Sequence, residues 1–299
     1  MGWQFEPRRV VATLAALASL SLVAAGCGDG DDGSAAAAEQ VPRPKVDRFD
    51  SQAAYELVRE QVELGPRPAG SRQSRVLAER LRRILPNGRF QVVPGGLRNV
   101  VGTVPGRQPR RVVVVGAHYD TKEIPGFVGA VDGASGTAVV AELARTVEPR
   151  ELRPTVVFIM FDGEEAPAGT PDDQFTRYGI RGAKAAAPRY KDAEAMILLD
   201  FVGEKGLRIP REDYSNAGLW QRLRAAARAV GVGRVFPAED LGGGIQDDHL
   251  PFIRQGVPSI DLIDFDFPCW HRRCDDLSRV SQRSLDASGE AVYELLRRL

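Results

Sequence analysis

Apolar positions follow two rhythms along this chain. Between residues 50 and 85 they recur at helical spacing. Ala53, Ala54, Leu57, Val58 and Val62 share one side of a helix expected over Asp50–Glu63. Gly65-Pro66-Arg67-Pro68 stops it. Val76, Leu77, Leu81 and Ile84 mark a second helix over Ser71–Leu85. Short apolar runs then alternate with helical stretches. Strands are expected at Arg89–Val93, Asn99–Val104, Arg111–Ala117, Thr155–Phe161, Ala193–Leu199 and Ser259–Phe265. Helices are expected at Gly136–Thr146, Arg181–Ala187, Ala217–Val230 and Ser284–Leu299. The unbroken valines from Val112 to Val115 read as a strand covered on both faces. This alternation predicts an α/β fold, with a mainly parallel sheet between helical layers. No internal repeat and no second composition regime interrupts it, so residues 46–299 are expected to form one domain.

The first residues follow a different pattern. Arg8 and Arg9 precede an apolar run from Val10 to Ala25, too short for a comfortable membrane span of about 20 residues. The run ends in Ala24-Ala25-Gly26-Cys27, similar to a bacterial lipobox, although Ala24 stands where Leu is usual. Residues 1–26 are therefore expected to be an export signal of the lipoprotein type, with Cys27 lipidated. A plain secretory signal is the alternative. Residues 27–45, rich in Gly, Asp, Ala and Pro, read as a flexible tether. Both versions place the mature chain outside the cytoplasm, in the cell envelope or secreted. Membrane attachment would be through lipid on Cys27 alone. If Cys27 carries lipid, Cys269 and Cys274 remain as a possible disulfide pair, or as two free thiols.

Charge narrows the partners. Forty basic residues balance forty acidic ones, which gives no global field for nucleic acid or acidic lipid. With 43% hydrophobic and 27% charged residues, the composition is that of an ordinary globular protein.

Only three histidines occur, and they stand where chemistry is expected. His118 ends the valine strand in His118-Tyr119-Asp120, and ligands of open α/β sheets bind at the carboxyl ends of strands. Asp132 lies just before a helix, where an Asp taken alone is usually a cap or turn residue. Glu164-Glu165 follows a buried strand. Two adjacent carboxylates there are costly without a cation or a proton, so one can bind metal while the other moves protons. Asp200 ends another apolar strand, Asp247-Asp248-His249 follows a triple glycine, and Trp270-His271 follows the last strand. Each signal is moderate alone; together they gather at one end of one sheet.

In that order the motifs resemble those of the M28 family of zinc aminopeptidases and the related glutaminyl cyclases. The matching stretches are Gly116-Ala117-His118-Tyr119-Asp120, Asp132 with Ala134-Ser135-Gly136, Phe161-Asp162-Gly163-Glu164-Glu165, Leu199-Asp200, Asp247 to Phe252 and Trp270-His271. The resemblance implies a three-layer α/β/α fold with a mixed central sheet. It implies Zn²⁺ held by Asp132, Glu165 and His271, with His118 and Asp200 holding a second zinc where the site is dinuclear. Glu164 would be the general acid/base, and peptide or protein N-termini the substrates.

Tyr119 with Thr121-Lys122, the Asp247-Asp248-His249 loop, Trp270 and Tyr178-Gly179 look like a glutaminyl cyclase. That class converts an N-terminal Gln to pyroglutamate and releases ammonia. It implies one zinc, with Asp200 and Asp247 assisting proton transfer and with Trp270, Asp248 and His249 at the substrate. Asp132-Gly133-Ala134-Ser135-Gly136 is nearer the aminopeptidase pattern, which keeps hydrolysis of the first peptide bond as the alternative. An inactive peptide-binding protein is the third reading, disfavoured because a mere metal anchor has no need of Glu164 beside Glu165.

Overall fold

The computed structural model describes residues 41–299; the expected export signal, Cys27 and most of the tether lie outside the described residues. Packing begins early. Val41 is buried in the main core, and the Lys45 amide donates to the Val230 carbonyl.

Helices α1 (Ser51–Glu63) and α2 (Arg72–Ile84) come first. The Asp50 and Ser71 side chains accept from Ala53 and Ser74 amides and so cap them. Strands β1 (Arg89–Val93) and β2 (Leu97–Val104) form a hairpin, followed by β3 (Gln108–His118) and α3 (Ala134–Thr146). Then come β4 (Pro154–Phe161), the single turn α4 (Phe175–Tyr178), α5 (Arg181–Ala186) and β5 (Ala195–Leu199). The chain closes with α6 (Ala217–Ala229), the short α7 (Leu250–Ile253), β6 (Ser259–Leu262) and α8 (Gln282–Arg298).

The six strands form one mixed sheet in the order β1-β2-β4-β3-β5-β6. β3, β4, β5 and β6 run parallel, and β1 and β2 pair antiparallel at one edge. The sheet is the three-layer α/β/α arrangement expected. Val113, Val115, Phe158, Ile197 and Leu262 face the larger core with α1, α2, α3, α6 and α8. Their neighbours Val114, Val157, Ile159, Met196 and Leu198 face a smaller core with α5 and α7. This alternation is the period-two geometry of a strand buried on both sides.

Some boundaries differ from expectation. The strand predicted over Ser259–Phe265 stops at Leu262, because the Asp264 carboxylate accepts from the Arg208 amide and the chain turns. α4 and α7 were not expected, since four residues are too few to display a helical period.

Two glycines bring the layers together next to the strand ends. A Cβ on Gly136 would lie 2.2 Å from the Leu199 carbonyl oxygen, so only glycine lets α3 approach β5 this closely. Gly133 has φ 87°, and a Cβ there would lie 2.8 Å from the His118 ring.

Candidate metal centre

The carboxyl ends of β3, β4, β5 and β6 are aligned by the sheet register, with His118 opposite Phe161 and Leu199 opposite Leu262. The residues that follow these ends converge. His118 Nε2 lies 3.2 Å from Asp200 Oδ1 and 3.4 Å from Asp132 Oδ1. His271 Nε2 lies 3.1 Å from Glu165 Oε1 and 3.6 Å from Asp132 Oδ2. Asp132 therefore offers one oxygen to each of two groups: His118–Asp132–Asp200 and Asp132–Glu165–His271.

These spacings fit a metal. Tetrahedral zinc with bonds of about 2.0–2.1 Å separates its ligand atoms by roughly 3.3 Å. Asp132 Oδ2 is buried and has no hydrogen-bond partner, which is costly without a cation. His118 Nδ1 lies 3.1 Å from the Asp120 carbonyl oxygen, which can only accept. Nδ1 therefore carries the hydrogen and donates, while Nε2 turns its lone pair to the two carboxylates. Burial alone would lower the His118 pKa, but the Asp200 charge and the bonds to Asp132 and Asp200 hold it well above the usual range. Burial likewise pushes Asp200 well above the carboxylate range, with His118 opposing. A proton or a metal belongs between them.

The other carboxylates divide by environment. Burial would raise Glu165, but the His271 hydrogen bond and charge, with Lys122, hold it below its usual range. Its second oxygen accepts from Lys122 Nζ at 2.9 Å. Glu164, the adjacent residue, makes no side-chain hydrogen bond among the described residues. Burial pushes its carboxyl well above the usual range, and the Glu165 charge adds to this. Asp247 is also raised by burial.

A cavity of about 300 Å³ opens on this centre. Asp132, Glu164, Glu165, Asp200 and Asp247 form its polar wall, and Phe175, Phe201, Phe265 and Trp270 its aromatic wall. The Trp270 ring lies 4.6 Å from that of His271 and 4.9 Å from that of Phe265. Asp248 and His249, expected at the substrate, do not line the cavity. Both are fully buried behind Asp247, with His249 facing Glu212 at 3.5 Å and Asp261 at 3.8 Å.

Sequence reasoning missed the supports of the site. Asp120, known from the motif only as a neighbour of His118, accepts the amides of Gly163, Glu164 and Glu165 and so sets the Glu164-Glu165 turn. Asp275 accepts the amides of Val131 and Asp132. Arg67, wholly buried, donates to the carbonyls of Gln61, Gly65, Val128 and Gly129 and ties down the loop before Asp132. Burial lowers its pKa to about 10. The only sequence signals were an Asp directly after the paired Cys and an Arg between two prolines.

Fold and site together define an α/β protein with two adjoining candidate metal groups that have Asp132 in common. The chain belongs to peptidase family M28, whose profile matches residues 99–296. It is similar to the glutaminyl-peptide cyclotransferase of Bos taurus, 31% identical over 64% of this chain and 64% of that protein. The Dictyostelium discoideum glutaminyl-peptide cyclotransferase is 27% identical over 60% of this chain and 58% of its own length. The chain thus spans about three fifths of these curated relatives. Among solved structures, the Porphyromonas gingivalis glutaminyl cyclase superposes with TM-score 0.74 at 29% identity, covering 85% of this chain and 99% of that one. A leucine aminopeptidase precursor from Bacteroides thetaiotaomicron also gives TM-score 0.74, at 26% identity, covering 86% and 99%.

Proposed function

We propose that this chain is a zinc-dependent glutaminyl-peptide cyclotransferase, which converts an N-terminal Gln to pyroglutamate and releases ammonia. The observation that carries the reading is the state of Glu164. It lines the cavity beside a metal-capable group, belongs to neither group, and is held by burial toward its protonated form. Such a carboxyl is suited to accept a proton and return it. Zinc, when bound by Asp132, Glu165 and His271, supplies a Lewis acid for the side-chain amide carbonyl. The peptide's own α-amine forms the new C–N bond, and the bond to the amide nitrogen breaks. Glu164 takes the proton that the amine loses and delivers it to the leaving nitrogen, which departs as ammonia. Asp200 and Asp247, both raised by burial, would assist this proton transfer. Trp270, Phe265 and Phe201 offer an apolar wall for the Gln side chain and limit water around it.

One observation favours a second reading. Asp132 is shared between two metal-capable groups, an arrangement suited to two ions and to hydrolysis of the first peptide bond. Mass spectrometry of a Gln-initiated peptide after incubation separates the two. Loss of ammonia supports the cyclase, and loss of a residue supports the aminopeptidase.

Export is part of the proposal: cleavage before Cys27 and lipid on that residue, with the domain outside the cytoplasm. The Cys269–Cys274 disulfide suits an oxidising compartment. Among the described residues, no helix is long and apolar enough to cross a membrane.

A further inference from the structure

Cys269 and Cys274 are joined across a separation of five residues, with Cα atoms 5.4 Å apart. The ring they close contains His271, one of the three residues that meet at the Asp132–Glu165–His271 group. His271 also has φ 52°, in the left-handed region that a residue with a Cβ holds only when its surroundings impose it. The Arg272 amide closes a turn onto the Cys269 carbonyl at 2.9 Å, and the Trp270 amide does so onto Phe267 at 3.2 Å.

The exit from the ring is tied to a second ligand. Asp275 directly follows Cys274. Its carboxylate accepts from the Val131 amide at 2.7 Å and the Asp132 amide at 3.0 Å. Arg273, inside the ring, donates from Nε to the Pro125 carbonyl at 2.8 Å, on the loop leading to Asp132. One covalent ring thus carries His271, and its next residue grips the backbone of Asp132.

We propose that the Cys269–Cys274 disulfide is a positioning clip for the metal centre, setting His271 against Asp132, and that opening it weakens metal retention. The inference rests on the metal reading above. Metal bonds tolerate errors of only about 0.2 Å, whereas a freed left-handed residue relaxes by much more. A ring this short restricts little of the unfolded chain compared with a long loop, so its consequence is local registry rather than global stability. Neither cysteine touches the reacting atoms; they act through His271 and Asp275.

The test uses the full chain loaded with zinc and an excess of a chromophoric chelator. Zinc release is timed for the oxidised protein, for protein opened with a phosphine and freed of reagent, and for the variant Cys269→Ser/Cys274→Ser. In the opening step the phosphine attacks one sulfur and the S–S bond breaks. Water gives its oxygen to phosphorus, and both sulfurs end as thiols. Release should be ~10-fold faster or more from both opened forms, in line with the usual cost of removing a ligand's support. The unfolding midpoint of the metal-free protein should move little, and the visible bands of a Co²⁺-loaded sample should shift on opening. Equal release from closed and opened protein overturns the clip. So does reduction that unfolds the metal-free chain, because the bond is then a fold staple; this arm holds even where the variant does not fold. A wild-type chain that retains no zinc overturns the metal reading together with the clip, whereas equal release overturns the clip alone.

Discussion

Lys122 Nζ lies 2.9 Å from Glu165 Oε2, while the other oxygen of the same carboxylate faces His271 Nε2 at 3.1 Å. One carboxylate therefore answers to a lysine on one side and to the metal group on the other. Burial would lower the Lys122 pKa, but the Glu165 charge and hydrogen bond raise it, so the ammonium stays charged at neutral pH. Removing it leaves a buried oxygen without its donor and frees the carboxylate to rotate. Lys122→Met should weaken zinc binding ~10-fold, within the range usual for such supports. A competition titration with a zinc indicator measures this, and unchanged affinity would remove Lys122 from the site's supports.

The adjacent pair Glu164 and Glu165 should separate by role. Glu164→Gln keeps the shape but removes the titratable group. Zinc content should stay near wild type while turnover falls ~10²–10⁴-fold. Glu165→Gln weakens a ligand that His271 and Lys122 both address, and zinc content itself should fall. Metal analysis beside steady-state kinetics decides between them. Normal turnover by Glu164→Gln, or equal zinc loss from both variants, would show the roles to be wrongly assigned.

The placement of His118, Glu164-Glu165 and Asp200 at one edge of the sheet was legible in the sequence because each stands at the end of an apolar run or just after it. Four valines lead to His118, β4 leads to Glu164-Glu165, and β5 leads to Asp200. A parallel sheet aligns such ends whatever the loops between them do. Asp248 and His249 escaped for the converse reason. They adjoin Asp247 in sequence, but the loop turns at α7, so Asp247 reaches the cavity while its neighbours point behind it. Arg67 and Asp275 escaped because they bind backbone groups distant in sequence. Backbone partners leave no residue-type signature, so no pattern marks the residue that accepts or donates to them.

Glu204 and Asp264 are interacting carboxyls, each shifted upward with burial as the largest cause. Burial, then the charge of Asp264, pushes Glu204 up to about 8. Between its unfolded value of about 4.5 and its folded value of about 8, the folded state holds a proton that the unfolded state lacks. Stability from this group is full below the lower value and is lost as pH rises through the window. The loss should be shallower than the one-proton limit of about 1.4 kcal/mol per pH unit, because Glu204 keeps some solvent contact. Glu204→Gln should flatten this part of the profile. Denaturant unfolding at a series of pH values measures it, and a wild-type curve already flat between these values would refute the upward shift of Glu204.

The metal count tests the choice between the two chemistries. His118 and Asp200 need either a second ion or a proton between them, since His118 presents a lone pair to two carboxylates. Both members are shifted well above their usual values, the Asp200 charge raising His118 against its burial and burial raising Asp200. A proton held between the two would do the work of a second cation. The Asp132–Glu165–His271 group has no such internal solution. Asp132 Oδ2 lacks a partner, and Glu165 is held in its charged form. One zinc per chain is therefore expected, lost on His271→Ala and retained on His118→Ala. Elemental analysis of purified wild type and both variants decides it. Two tightly held zincs in wild type, with one surviving each substitution, would move the conclusion to the aminopeptidase.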